Sequence, residues 1–267
     1  MMRPEPFTRE AGSGPAVVCI HANASTSGQW RELIDLLAPT HHVVAPDSYG
    51  SGQSPEWHSE RFINLTHEVA LLAPVFERLP SPITLVGHSY GAAVALKAAL
   101  ENPARVRALI LYEPTLFALV DASLPRPNAA DGIRNTVAAA SKLLDSGDRD
   151  GAARLFIEYW MGGGAWAATP KNRRQAITDS VVNLRRWGHA LFTEPAPLDA
   201  FRQLDLPILY LVGKRSPAAA LAVADILMAA LPKARLVVFE GLGHMGPITH
   251  PTIVNGEIKR FLAQGGH

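Results

Sequence analysis

The sequence predicts an α/β protein with a doubly wound, mostly parallel sheet and an inserted helical cap. Three observations predict it. Short runs rich in Val, Ile and Leu alternate with longer segments of helical period, the pattern of successive βα units. Those runs are apolar at nearly every position, as strands covered on both faces require. From about Thr115 to Ala200 the alternation stops and only helical segments follow, a stretch far longer than one crossover helix needs.

In chain order, the candidate strands are Ala16–His21, His42–Pro46, Ile83–Gly87, Val106–Tyr112, Ile208–Gly213 and Arg235–Glu240. Between them Trp30–Leu37, Phe62–Leu79, Gly91–Leu100 and Ala218–Leu231 carry helical periodicity, as does Thr252–Leu262 at the end. Pro80, Pro103, Pro207, Pro232 and Pro251 sit at the boundaries, where proline costs no interior hydrogen bond. Within the cap the predicted helices are Gly132–Leu144, Arg149–Trp160 and Asn172–Leu191, with Gly162, Gly163 and Gly164 as a break. Pro125 and Pro127 precede this stretch, and Pro195 and Pro197 follow it. The expected division is therefore a core of residues 1–114 and 201–267, with a lid of residues 115–200.

Composition excludes several classes of function. The chain has 267 residues, 48% hydrophobic and 18% charged, with a formal net charge of +1, so nothing draws it to nucleic acid or to an anionic membrane. Lys171, Arg173 and Arg174, and again Arg185 and Arg186, read as solvated helix faces. Cys19 is the single cysteine, which rules out an internal disulfide and a cysteine metal cluster. The N-terminus has no apolar stretch of signal-peptide length, and no run reaches membrane-spanning length, so a cytoplasmic location is expected. No HExxH or comparable ligand cluster occurs, and the Gly50-x-Gly52 turn is not followed by a helix, so neither metal nor dinucleotide cofactor is expected. The partner expected is a small-molecule substrate; nothing in the sequence sets the oligomeric state.

The strongest chemical signal is Leu85-Val86-Gly87-His88-Ser89-Tyr90-Gly91, an apolar strand running through G-x-S-x-G into an Ala-rich helix. A serine hydroxyl is a poor nucleophile unless a sharp turn exposes it beside a base. The strand–turn–helix junction does this, and it aims the Tyr90 backbone N–H at a developing oxyanion. A second signal is His244 in the Gly-rich loop Gly241-Leu242-Gly243-His244, at the exit of the last strand. It takes the general-base position, after the serine in chain order. A third is His21-Ala22-Asn23 directly after the first candidate strand, where the Asn23 N–H would be the second oxyanion donor. His21 and His88 each end a strand and read as structural.

These pieces resemble the cap-bearing α/β-hydrolase family of serine hydrolases over nearly the whole length. The matching motifs are the His21–Asn23 loop, the Pro46-Asp47-x-x-Gly50-x-Gly52-x-Ser54 turn, the Gly87–Gly91 elbow and the Gly243-His244 loop. The resemblance implies the fold and a nucleophilic mechanism without naming a substrate. It also exposes a departure. The family most often places its catalytic Asp in G-x-x-D after the penultimate strand, and here Gly213-Lys214-Arg215-Ser216 puts a serine there. Some members supply the acid from the strand after the nucleophile helix, where this chain has Glu113, so Glu113 is the expected acid. Asp121 in the cap linker and Asp225 on a helix are weaker substitutes. Asp47 reads as turn-forming.

The expected chemistry follows. Ser89 attacks an acyl carbon, His244 takes the proton, Glu113 supports the imidazolium, and water releases the acid. The cap is expected to wall the pocket with Phe117, Phe156, Tyr159, Trp160 and Trp166, favouring a small or medium, largely apolar carboxylic ester. The alternatives are a C–C bond, lactone or amide hydrolase using the same residues, and a low-turnover ligand-binding module.

Overall fold

A computed structural model describes residues 4–59, 62–195 and 198–265; Pro197 lies outside them. Seven strands form one sheet: β1 (Thr8–Ala11), β2 (Ala16–Ile20), β3 (His42–Pro46), β4 (Ile83–His88), β5 (Val106–Tyr112), β6 (Ile208–Gly213) and β7 (Ala234–Phe239). Their spatial order is β1-β3-β2-β4-β5-β6-β7. Only β1 pairs antiparallel, against β3; the other neighbours are parallel. β2 and β4 lie at the middle of this order, and both lead into loops of the site. This is the usual place for a binding crevice in an open parallel sheet.

Each inner strand buries both faces, and its alternate residues enter two different cores. Val18 and Ile20, Leu85, Leu109 and Leu111, and Tyr210 face one core. Val17 and Cys19, Val86, Ile110, and Leu209 and Leu211 face the other. The second core is closed by Leu33 of α1 (Arg31–Leu37) and by Val254, Ile258 and Phe261 of α13 (Pro251–Ala263). The first is closed by α2 (Leu65–Arg78), α3 (Tyr90–Glu101) and α11 (Ala218–Ala230). Period-2 strands between helical layers on both sides make the doubly wound architecture. Cys19 is buried in the second core, and burial pushes its thiol pKa up.

The chain between β5 and β6 forms the inserted cap. It contains α4 (Phe117–Ser123), α5 (Asp131–Asp145), α6 (Arg149–Met161), α7 (Ala165–Ala168), α8 (Lys171–Ser180), α9 (Leu184–Thr193) and α10 (Leu198–Arg202), with no strand among the described residues. Gly162 and Gly164 take φ of 89° and 82°, which ends α6 and starts α7. A short α12 (Gly246–Thr249) precedes α13.

The short helices α4, α7, α10 and α12 were not expected, and three further departures have a plain local cause. β1 was not predicted: four residues, two of them charged and exposed, leave no apolar alternation to read. The second helix begins at Leu65 instead of Phe62, because the Asn64 side chain caps it by accepting from the His67 N–H at 3.0 Å. The single helix expected over Asn172–Leu191 is two, divided by a 3-10 turn at Val181–Asn183. There the adjacent β-branched Val181 and Val182 disfavour a continuous helix, and buried Asn183 turns inward instead of facing solvent.

Candidate active site

Ser89 stands between β4 and α3 with φ of 57° and ψ of −117°, a backbone conformation that L-residues rarely adopt. Two glycines permit the turn. A Cβ on Gly87 would lie 2.4 Å from the Ala92 Cα, and one on Gly91 would lie 2.3 Å from the Ile20 carbonyl oxygen. The Ser89 N–H donates to the Tyr112 carbonyl at 2.9 Å, which ties the turn to the end of β5. The next residue along β5 is Glu113, itself at φ of 47°. Two strained residues on neighbouring strand ends are thus held side by side.

His244 joins them across the sheet. Its Nε2 lies 2.9 Å from Ser89 Oγ, and its Nδ1 lies 2.6 Å from Glu113 Oε2. The other carboxylate oxygen, Oε1, accepts from the Gly213 N–H and from the Ser216 hydroxyl, each at 2.6 Å. Ser216, which stands where an acid was expected, therefore holds the carboxylate of Glu113, the residue just past β5. Both Glu113 and Ser216 are buried, so these bonds act in a low dielectric. Asp47 is engaged elsewhere, accepting from the Ser27 and Gln53 N–H groups at 2.5 and 3.0 Å. Asp121 pairs with Arg126 and Arg134 in the cap, and Asp225 is exposed on α11.

The His244 loop is fixed by contacts that sequence reading did not find. The Tyr112 hydroxyl donates to the Gly243 carbonyl at 2.7 Å. His88 Nε2 donates to the His244 carbonyl at 2.8 Å, and the Gln29 amide reaches His88 Nδ1 at 3.1 Å. Gln29 Oε1 in turn accepts the Ala22 N–H at 3.1 Å, so one relay links the Asn23 loop to the His244 loop. Burial, and then the neighbouring His244, hold the His88 pKa well below the usual histidine range, consistent with this neutral donor–acceptor pattern. His21 makes a comparable brace: its Nδ1 contacts the Ala22 carbonyl at 2.7 Å and its Nε2 accepts the Ser48 N–H at 3.0 Å. Nothing local marks Gln29, because its partner is 59 residues away.

Asn23 lines the cavity beside Ser89, and the following residue, Ala24, has φ of 53°. Tyr90 is the first residue of α3, where a backbone N–H has no carbonyl one turn back. Its hydroxyl donates to Glu68 at 3.1 Å. Glu68 is buried and also accepts the Tyr49 N–H at 3.3 Å; burial pushes its carboxyl pKa up to about 7.

Above Ser89 and His244 lies a cavity of about 350 Å³. Phe156 and Trp160, both expected as walls, line it, and Trp160 stacks on the His244 imidazole with centroids 3.8 Å apart. Phe117 lines a smaller hollow of about 20 Å³, which shares Asn23, Ser89, Phe156 and Trp160 with the larger one. Tyr159 and Trp166 do not line either space. Tyr159 packs edge-on against Trp160 at 4.9 Å, and buried Trp166 turns its Nε1 toward Asp150 at 3.3 Å. Both belong to packing between cap helices: Tyr159 lies on the face of α6 beside Gly132 of α5, and Trp166 of α7 turns back onto α6. Met161, Ile177, Met245 and Ile248 complete walls that the aromatic pattern did not indicate.

The alpha/beta hydrolase fold model matches residues 15–251. The chain belongs to the α/β-hydrolase fold family. It is a hydrolase with esterase-like relatives. It is 32% identical to Lipase LipV of Mycobacterium tuberculosis over 95% of this chain and 96% of that protein. It is 26% identical to a pimeloyl-[acyl-carrier protein] methyl ester esterase of Nitrosomonas europaea, over 90% of this chain and 92% of the relative. Among solved structures, the esterase EaEST of Exiguobacterium antarcticum superposes with a TM-score of 0.79 at 18% identity, covering 96% of this chain and 95% of the other. Among the described residues of this hydrolase no group of three His, Cys, Asp or Glu is placed to hold a metal ion, and no helix is long and apolar enough to cross a membrane.

Proposed function

We propose that this hydrolase cleaves small or medium, largely apolar carboxylic esters through an acyl-enzyme on Ser89. The observation that carries the reading is the unbroken chain Ser89 Oγ–His244 Nε2 at 2.9 Å and His244 Nδ1–Glu113 Oε2 at 2.6 Å, opening into an apolar cavity. Glu113 accepts the Nδ1–H and so leaves Nε2 free to take the serine proton. As Oγ attacks the acyl carbon, the proton moves to Nε2, and the imidazolium is stabilised by the carboxylate and by the Trp160 face. The Asn23 and Tyr90 N–H groups bind the tetrahedral oxyanion; loss of one such donor generally costs about 100- to 1,000-fold in rate. His244 then protonates the leaving alcohol, activates water, and the acyl-enzyme is hydrolysed. The helical chain of residues 115–200 acts in this scheme as the lid over a core of residues 1–114 and 201–267.

The test is intact mass after a fluorophosphonate probe, together with turnover of a panel of short esters. Stoichiometric labelling is expected in the parent and absent in Ser89→Ala, with ester turnover following the same pattern. Absence of labelling in the folded parent would sink the nucleophile assignment and favour a binding module. Labelling with turnover confined to lactones, amides or C–C substrates would replace the ester.

A further inference from the structure

Ser89 lies where two unequal hollows meet, so a substrate cleaved there has a small half and a large half. The smaller hollow, about 20 Å³, has room for roughly one small group. The larger, about 350 Å³, is walled mainly by apolar side chains such as Phe156, Trp160, Met161 and Ile177. Among the described residues no carboxylate side chain lines it, and the one fixed charge on its wall is Arg173 of α8. Arg173 is exposed, which puts it at the solvent edge of the cavity, one helical turn from the lining Ile177.

The other arginines of α8 and α9 have partners. Arg174 Nε donates to the Thr169 carbonyl at 2.7 Å and its guanidinium lies over Trp166. Arg185 reaches Asp145 at 2.5 Å, and Arg186 reaches Asn183 at 3.1 Å. The Arg173 side chain makes no hydrogen bond or ion pair with any described residue. A cation without a counter-charge, on the rim of an apolar cavity that contains the reacting serine, is placed to select the charge of what enters.

We infer that Arg173 binds an oxyanion, carboxylate or phosphate, at the far end of the larger half of the substrate. The inference rests on the ester-hydrolase reading of Ser89 and narrows its substrate class to apolar esters with a small partner group and a distal anion. The planar guanidinium suits either oxyanion with two parallel hydrogen bonds. Because Arg173 is exposed, the gain is modest: about fivefold in affinity, expressed in KM rather than kcat, since a contact made alike in the ground and transition states changes only binding.

The test uses the full chain and two ester series followed by proton release at constant pH. One series is methyl octanoate with its ω-carboxylate and ω-phosphate analogues; the other is octyl acetate with the same two ends. They place the anion on the acyl half or on the alcohol half. In at least one series an anionic member is expected to have a KM about fivefold below its neutral counterpart. Arg173→Ala should abolish that preference, Arg173→Glu should invert it, and Arg173→Lys should retain part. The neutral ester of each series is the reference within each protein, so the preference is read as a ratio of KM values and any change common to both members cancels. Equal KM for neutral and anionic members in both series, or a preference that survives Arg173→Glu, overturns the inference while leaving the ester-hydrolase reading standing. No turnover of any member, with no fluorophosphonate labelling of Ser89, removes both. A carboxylate preference without a phosphate one, or the reverse, identifies which oxyanion is meant.

Discussion

Replacing Glu113 by Gln keeps the side-chain shape and removes its charge, which isolates what the carboxylate does. Glu113 is fully buried and accepts three hydrogen bonds at 2.6 Å, from the Gly213 N–H, the Ser216 hydroxyl and His244 Nδ1. A glutamine has one acceptor oxygen and one donor nitrogen. Its oxygen stays with Gly213 and Ser216, since both are donors there, and its NH₂ then faces His244 Nδ1. That pairing requires Nδ1 unprotonated and moves the ring proton to Nε2, where it can no longer accept from Ser89. Wrong tautomer and lost imidazolium support together are expected to lower kcat by about 10⁴, or about 5 kcal/mol in activation free energy. The assay is ester turnover and the rate of fluorophosphonate labelling, with the urea midpoint as a check that the fold persists. Ser216→Ala, which removes one charge-assisted bond to Oε1, should cost far less, about tenfold. A Glu113→Gln protein that stays within tenfold of the parent in both rates would refute the assignment of Glu113 as the acid.

Three further outcomes are expected. Glu68 has its pKa raised from an ordinary 4.5 to about 7 by burial. The unfolded chain therefore releases this proton first, and between pH 4.5 and about 7 the native state loses about 3 kcal/mol, at about 1.4 kcal/mol per pH unit. Glu68→Gln should remove that part of the slope, so urea titrations at pH 5 and pH 8 should differ by about 3 kcal/mol less than in the parent; equal slopes would show that Glu68 does not titrate there. Gly91→Ala brings a Cβ to 2.3 Å from the Ile20 carbonyl oxygen, a backbone atom of β2, and should destabilise by about 3 kcal/mol or more while slowing Ser89 labelling. An unchanged urea midpoint would mean that α3 can shift freely from the sheet. Trp160→Ala removes both a cavity wall and the ring stacked at 3.8 Å on His244, and should cost about 3 kcal/mol of stability and raise KM. A raised KM with an undiminished urea midpoint would show that Trp160 serves the substrate alone.

Much of this molecule is legible in one dimension. The six predicted strands fall within one or two residues of β2 to β7: β2 to β6 are buried on both faces and read as continuous apolar runs, and the edge strand β7 keeps the run Leu236–Phe239 although part of it is exposed. The turn at Ser89 is equally visible, since G-x-S-x-G between an apolar run and a helix is a local motif. Ser216 signals its own oddity by standing in an acid's usual place. The pocket is another matter. Of five aromatic wall candidates, Tyr159 and Trp166 pack between cap helices, because composition shows which side chains are large but not which face of a helix they occupy.

Sequence alone determined the inner strands and the longer helices, the sharp turn that presents Ser89 and the short set of residues from which a triad could be drawn. Those properties depend on neighbours a few positions away, within reach of backbone sterics and hydrogen-bond geometry. Only the tertiary structure decided that Glu113 reaches His244 across 131 residues, and that Gln29 and His88 brace the two loops. The same is true of Arg173, which reads as one more solvated charge until α8 is folded over the cavity. Such contacts are set by which strand ends the sheet order brings together and by how the cap helices pack, and neither is written in any local stretch of the chain.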